Sequence, residues 1–240
     1  MSSISLTLSN GQIVSAQIDR KKMKTCRLKV FPDRQIILSV PEFVSDEWAT
    51  AYLEEKRSWI EKKLEVFNST RGYASTNIIK NGFSIQMLGE DLIFSVFQAE
   101  KDYVTREDRI IQICVKNPSD QDHIMDLFQK WWKKQALRIL RERIDYWYPI
   151  IQKYGISKPK VYIRKMKTLW GSCSRDRGIV TFNFYLIKAR SACIDYVVLH
   201  ELTHFLYPNH SKQFYSFLSN YMPDWKERKR ILDSEVVHGL

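Results

Sequence analysis

Apolar and polar residues alternate from the start of the chain: Ile4, Leu6 and Leu8, then Asn10-Gly11, then Val14, Ala16 and Ile18. A period of two on either side of a turn dipeptide predicts a β-hairpin closed by a type I′ turn. Leu28 and Val30, the turn pair Pro32-Asp33, and Ile36, Leu38 and Val40 predict a second hairpin. The period then lengthens. After Ser45, an N-cap, Trp48, Tyr52, Trp59, Ile60, Leu64 and Phe67 mark the inward stripe of one amphipathic helix, with Asp46 and Glu47 in its first turn. Residues 68–79 read as a connection, and three short strands follow near 83–87, 92–97 and 109–115. A long helix is predicted from about Ser119 towards Gly155, with Ile124, Phe128, Trp131, Leu140, Ile144 and Trp147 inward and Pro149 bending or ending it. Next come a strand at 160–164, a tight element Trp170-Gly171-Ser172-Cys173 and a strand at 178–183. Ser191 caps a nearly all-apolar helix that stops near Tyr207-Pro208. Ser211 caps another, with Phe214, Phe217, Leu218 and Tyr221 on one stripe. No internal repeat is visible. The fold class is α+β: a β-rich region over 1–117, built of a basic hairpin plus one helix, then a helical domain over 118–240 with a short β-sheet at a cleft edge.

Composition adds a partner class and a compartment. The chain has 240 residues, 13% of them aromatic, which suits a globular core. No apolar run approaches the ~20 residues that span a membrane. Met1-Ser2-Ser3-Ile4-Ser5 lacks the charged and apolar regions of a secretory signal. Four cysteines, Cys26, Cys114, Cys173 and Cys193, lie far apart, so reduced thiols in a cytoplasmic protein are expected. A net charge of +11 favours anionic partners such as nucleic acid, nucleotides or acidic protein segments. The run Arg20, Lys21, Lys22, Lys24, Arg27, Lys29 makes one side of the second hairpin cationic; a solvated face is the competing reading.

Candidate chemistry is confined to the C-terminal half. Three of the five histidines fall within eleven residues: His200, His204 and His210. At about 100° per residue, His204 lies roughly 40° from His200 and Glu201 about 100° round, all on one face. Two imidazoles at i and i+4 suit a metal, and the carboxylate between them suits a general base on metal-held water. A buried glutamate on an apolar helix costs several kcal/mol without a compensating partner. Three nitrogens with an open fourth position form a catalytic zinc set rather than a structural one. His210 is the third candidate, reached if the chain doubles back through Asn209; the alternative is a surface residue at a helix entry. Arg164, Lys165 or Ser172 could stabilise an oxyanion or hold a phosphate oxygen. Asn183 is either a turn former or a hydrogen-bond partner behind a ligand histidine. Cys173 reads as a small buried turn residue before it reads as a ligand or nucleophile, and Asp195 as part of the helix's acidic first turn.

With these residues in view, the chain resembles the YgjP-like family of predicted zinc-dependent hydrolases, related to the SprT and WLM metallopeptidase groups. The resemblance runs through Trp59-Ile60, Leu88-Gly89, Trp170-Gly171-Ser172-Cys173, Asn183, Asp195 to Val198, His200 to His204, Asn209-His210 and Pro223-Asp224-Trp225. It implies Zn2+ at His200, His204 and His210, Glu201 as catalytic base, and a zincin-like catalytic domain acting on peptide or protein. The same family also carries a nucleoside triphosphate pyrophosphatase assignment with UTP as substrate. A third reading is a nucleic-acid-associated protein whose site is vestigial or serves only on DNA-bound protein.

Overall fold

A computed structural model describes residues 2–23, 25–31, 34–69, 78–166 and 168–235. The turn pair Pro32-Asp33, the Phe67 side chain and most of the 68–79 connection lie outside them. The chain divides into two compact units, Met1–Gly72 and Tyr73–Leu240.

In the first unit, β1 (Ser2–Thr7), β2 (Ile13–Lys21), β3 (Arg27–Val30) and β4 (Ile36–Pro41) form a sheet in the order β1-β2-β4-β3. The outer pairs are antiparallel and the central pair, β2 with β4, is parallel. The first hairpin has a three-residue loop. Gly11 alone takes positive φ (82°), its N–H bonds Leu8 O, and Leu8 N–H bonds Gln12 O. That is a type I turn followed by a left-handed residue, not the type I′ turn the sequence predicts. Ser45 does cap the following helix, accepting from Trp48 N–H at 3.2 Å. The helix, however, is two: α1 (Asp46–Glu55) and α2 (Arg57–Ser69), broken at Lys56. Trp48 and Trp59 face outward, while Ala49, Leu53, Ile60 and Leu64 are buried in one core with Ile18, Leu38 and Val40.

The second unit opens with β5 (Ser84–Met87), β6 (Glu90–Gln98), β7 (Tyr103–Glu107) and β8 (Ile110–Val115), ordered β5-β6-β8-β7. Its pairings again run antiparallel, parallel, antiparallel. The two sheets therefore share a topology that no sequence similarity announces. Helix α3 (Gln121–Trp147) lays Ile124, Phe128, Trp132, Ile139 and Ile144 into a core shared with Phe94, Ile111 and Ile113. Of the two outcomes open at Pro149, a bend or an end, α3 stops at Trp147 and the short α4 (Pro149–Gln152) continues from that proline. The predicted boundary after residue 117 falls inside this unit, between its sheet and α3.

Strands β9 (Lys160–Arg164), β10 (Gly171–Ser174) and β11 (Ile179–Asn183) make a third sheet, ordered β10-β11-β9. Because β11 has a partner on each side, the sheet's edges are β9 and β10 rather than the strand that precedes the histidine helix. A 3-10 turn (Leu186–Lys188) leads into α5 (Ser191–Thr203), followed by α6 (Lys212–Tyr221) and α7 (Trp225–Glu235). α5 is buried nearly all round, as its composition requires. Asp195 lies beyond its first turn and acts instead as a tether: its carboxylate accepts from Trp147 Nε1 at 3.1 Å and faces Arg143 at 3.7 Å. The β5–β6 turn is a second tether. Leu88 and Gly89 both have positive φ, as in a type I′ turn, and their N–H groups donate to Ile187 O (2.7 Å) and Lys188 O (3.1 Å). No helix among the described residues is long and apolar enough to cross a membrane.

Candidate metal centre

α5 delivers His200 and Glu201 from its last turn, with His204 as its C-cap. Leu206 and Tyr207 N–H both bond Thr203 O, so the chain tightens and turns out at Pro208. Ser211 then starts α6 by accepting from Phe214 N–H at 3.3 Å. This short reversal brings His210 back over the helix. Ring centroids lie 4.9 Å apart for His200–His204, 4.9 Å for His200–His210 and 4.8 Å for His204–His210. One ring nitrogen from each falls within 4.8 Å of the other two. The fully buried Phe214 ring sits 4.8–4.9 Å from all three and forms an apolar floor.

The donor set fits a divalent metal. Nε2 of His200 and Nε2 of His210 approach to 3.0 Å, a convergence of two nitrogens on one place. His204 Nδ1 lies 3.2 Å from Tyr207 O. Its N–H donates there, which leaves the Nε2 lone pair to face its neighbours. Burial, reinforced by the other two histidines, lowers the His200 pKa to about 3, and burial lowers that of His204. Both imidazoles are thus neutral at pH 7, the form that ligates metal. His200 Nδ1 is buried with no hydrogen-bond partner among the described residues.

Glu201 is only 5% exposed, and burial pushes its carboxyl up to about 8. It packs against the edge strand so closely that a Cβ on Gly171 would stand 2.6 Å from Glu201 Cγ and Oε1. Gly171 is thus a glycine for the space its neighbour occupies. The histidines and Glu201 line a cleft of about 890 Å³ whose other wall is the segment 168–176, β10 included.

Ser172 lies along that wall with the four residues of the histidine motif; Arg164 and Lys165 do not line it. Lys165 instead donates to Gln129 Oε1 at 2.7 Å and covers the Phe184 ring. Arg164 stands opposite Asn183 across β9 and β11. The buried Asn183 amide donates to Met166 O and Leu169 O, both at 2.7 Å, and ties down the loop into β10. Cys173 also lines the cleft; burial and the nearby Glu201 carboxylate push its thiol up to about 12, so it stays protonated.

The cleft is completed on the α7 side by Tyr196, Tyr215, Trp225 and Lys229; the family motifs carried Tyr196 and Trp225 without a role, and sequence reasoning missed Tyr215 and Lys229. Tyr196 also carried a signal in its spacing, since it stands four residues before His200 and shares its helix face.

A family model described as YgjP-like, metallopeptidase domain, matches residues 24–235. Among solved structures, the crystal structure of the metallopeptidase zymogen of Pyrococcus abyssi abylysin is similar at 23% identity and a TM-score of 0.35, covering 41% of this chain and 99% of that one. No curated protein matches the chain.

Proposed function

Since the chain belongs to the YgjP-like metallopeptidase family, a class that uses a divalent metal, we propose that it is a zinc peptidase with His200, His204 and His210 as ligands and Glu201 as general base. The observation that carries this reading is the convergence of three imidazole nitrogens within 4.8 Å, with a buried carboxylate one residue after the first. Zinc held there would supply a Lewis acid for a scissile carbonyl and a water with a pKa of about 7.

The remaining work falls to residues of the chain. Glu201 accepts the proton of the attacking water and returns it to the leaving amine. Its dry setting between α5 and Gly171 keeps the carboxylate aimed and strengthens its pull on that proton. The free edge of β10 offers unpaired backbone groups that an extended peptide can bond as an added strand. The Ser172 hydroxyl lies on the same wall as a donor for the developing oxyanion. A nucleotide substrate would need cations to grip its phosphates. Arg164 and Lys165 stand outside the cleft, Lys229 within it is paired with Asp233, and Arg175 shares its wall with the acidic Asp176. A peptide fits better.

The test is Glu201→Gln in the zinc-loaded protein, assayed on a casein-like substrate and on UTP, with and without chelator. Expected are retained zinc, peptide hydrolysis lower by about two orders of magnitude or more, and chelator-sensitive wild-type turnover. Unchanged peptide turnover in the variant would sink the assignment of Glu201. Chelator-sensitive release of pyrophosphate from UTP without peptide cleavage would move the substrate to nucleotides.

A further inference from the structure

Of the three candidate ligands, His210 is the least supported by its own element. It stands on the reversal between α5 and α6, its side chain is exposed, and among the described residues its one hydrogen-bonding contact is the approach to His200 Nε2. His204 has a carbonyl behind it; His210 has a ring. The His210 imidazole stacks on Tyr215 (6.0 Å, 22°), Tyr215 on Trp225 (5.1 Å, 16°), and Trp225 on Tyr196 (6.3 Å, 13°). Tyr196 meets His200 edge-on at 5.7 Å. Four near-parallel rings from α5, α6, α7 and the reversal therefore run from the third histidine back to the helix that carries the first.

The middle of this column is fixed from several sides. Trp225 Nε1 donates to Ser219 Oγ at 2.9 Å, which sets the tilt of the indole. Asp224 holds Arg228 at 2.9 Å, and Arg228 donates to Ala192 O at 3.1 Å, docking the start of α7 on the start of α5. The segment Pro223-Asp224-Trp225 thus has a use that the hydrolytic chemistry leaves unassigned.

We infer that Trp225 and Tyr215 are positioning residues for the metal centre: their stacked rings hold the His210 imidazole in its ligating orientation. The inference rests on the three-histidine zinc site proposed above. Groups that orient ligands from behind typically change metal affinity about 10–100-fold when removed, and stacked rings can act as such groups where no hydrogen bond does.

The full chain, stripped and titrated with zinc against a chromophoric chelator, tests this in a double-mutant cycle. The set is wild type, Trp225→Ala, Tyr215→Ala, His210→Ala and each aromatic variant combined with His210→Ala. Expected is zinc affinity about 10–100-fold weaker in each aromatic variant, with no further loss when His210 is already absent. Trp225→Phe keeps a stacking ring and retains more affinity than Trp225→Ala. Packing of α7 unrelated to His210 would instead give losses that add in full to that of His210→Ala, and that result overturns the inference. So does wild-type affinity in both aromatic variants. Should Trp225→Ala fail to fold, the Tyr215 arm decides alone, since that side chain is 37% exposed and tolerates truncation. A wild-type chain that takes up no zinc overturns the metal centre itself; zinc uptake with additive losses overturns only the positioning role.

Discussion

A single carboxyl shows how one residue can pull stability and function apart. Burial holds Glu201 up to about 8 against an ordinary 4.5, so between those values the folded, metal-free chain keeps a proton that the unfolded chain releases. Stability from this group is complete below pH 4.5 and falls as pH rises towards 8, by at most about 1.4 kcal/mol per unit. His200 runs the other way. Lowered to about 3 from 6.5, it costs stability as pH falls through that window. The two slopes oppose each other between 4.5 and 6.5, and of this pair Glu201 sets the slope above. With chelator present, Glu201→Gln is therefore expected to melt higher than wild type by a margin that widens from pH 5 to pH 8; a constant margin in thermal melts would contradict this. Gly171 belongs to the same scale. Its Cβ would stand 2.6 Å from Glu201 Oε1, so Gly171→Ala must displace the carboxylate. The expected outcome is kcat lower by about 100-fold, as for a misplacement of about 1 Å, with zinc content unchanged by metal analysis.

Elements here are positioned by short contacts that local pattern does not encode. The Leu88-Gly89 turn closes a hairpin, yet its N–H groups also cap the carbonyls of Ile187 and Lys188 just before α5. A Cβ on Gly89 would meet Arg190 Cγ at 2.7 Å, and its φ of 80° disfavours any side chain. Gly89→Ala is expected to cost about 1–2 kcal/mol from the backbone alone and more from the clash. Equilibrium urea unfolding measures it, and an unchanged midpoint would refute the tether. The helix ends were more legible. Ser45 and Ser211 cap as predicted, because a hydroxyl one residue ahead of an apolar stripe meets an orphan N–H locally, whereas Ser191 is the first residue of α5 and Arg190 takes the cap position without a capping hydrogen bond from its side chain. The break at Lys56 was not, since the apolar stripe of 45–67 keeps nearly one period through both helices.

At the scale of the molecule, the unit Tyr73–Leu240 contains the whole candidate site and a single shared core in which Phe94 of β6 meets Phe128 of α3 edge-on at 5.1 Å. A fragment starting at Tyr73 is therefore expected to fold and take up one zinc per chain, whereas one starting at 118 exposes that face of α3 and does not. Metal analysis of the two fragments decides it; equal zinc uptake by both would place the domain limit after 117. The sequence by itself determined the α+β class, the common face of His200 and His204 and the reversal that returns His210, because periodicity, caps and i, i+4 spacing are all set within a few residues of chain. Tertiary structure alone decided which strand edge borders the cleft, why residue 171 is glycine, where Arg164 and Lys165 stand, and what backs His210. Those outcomes depend on which surfaces meet across tens of residues, and burial and packing are fixed only when they do.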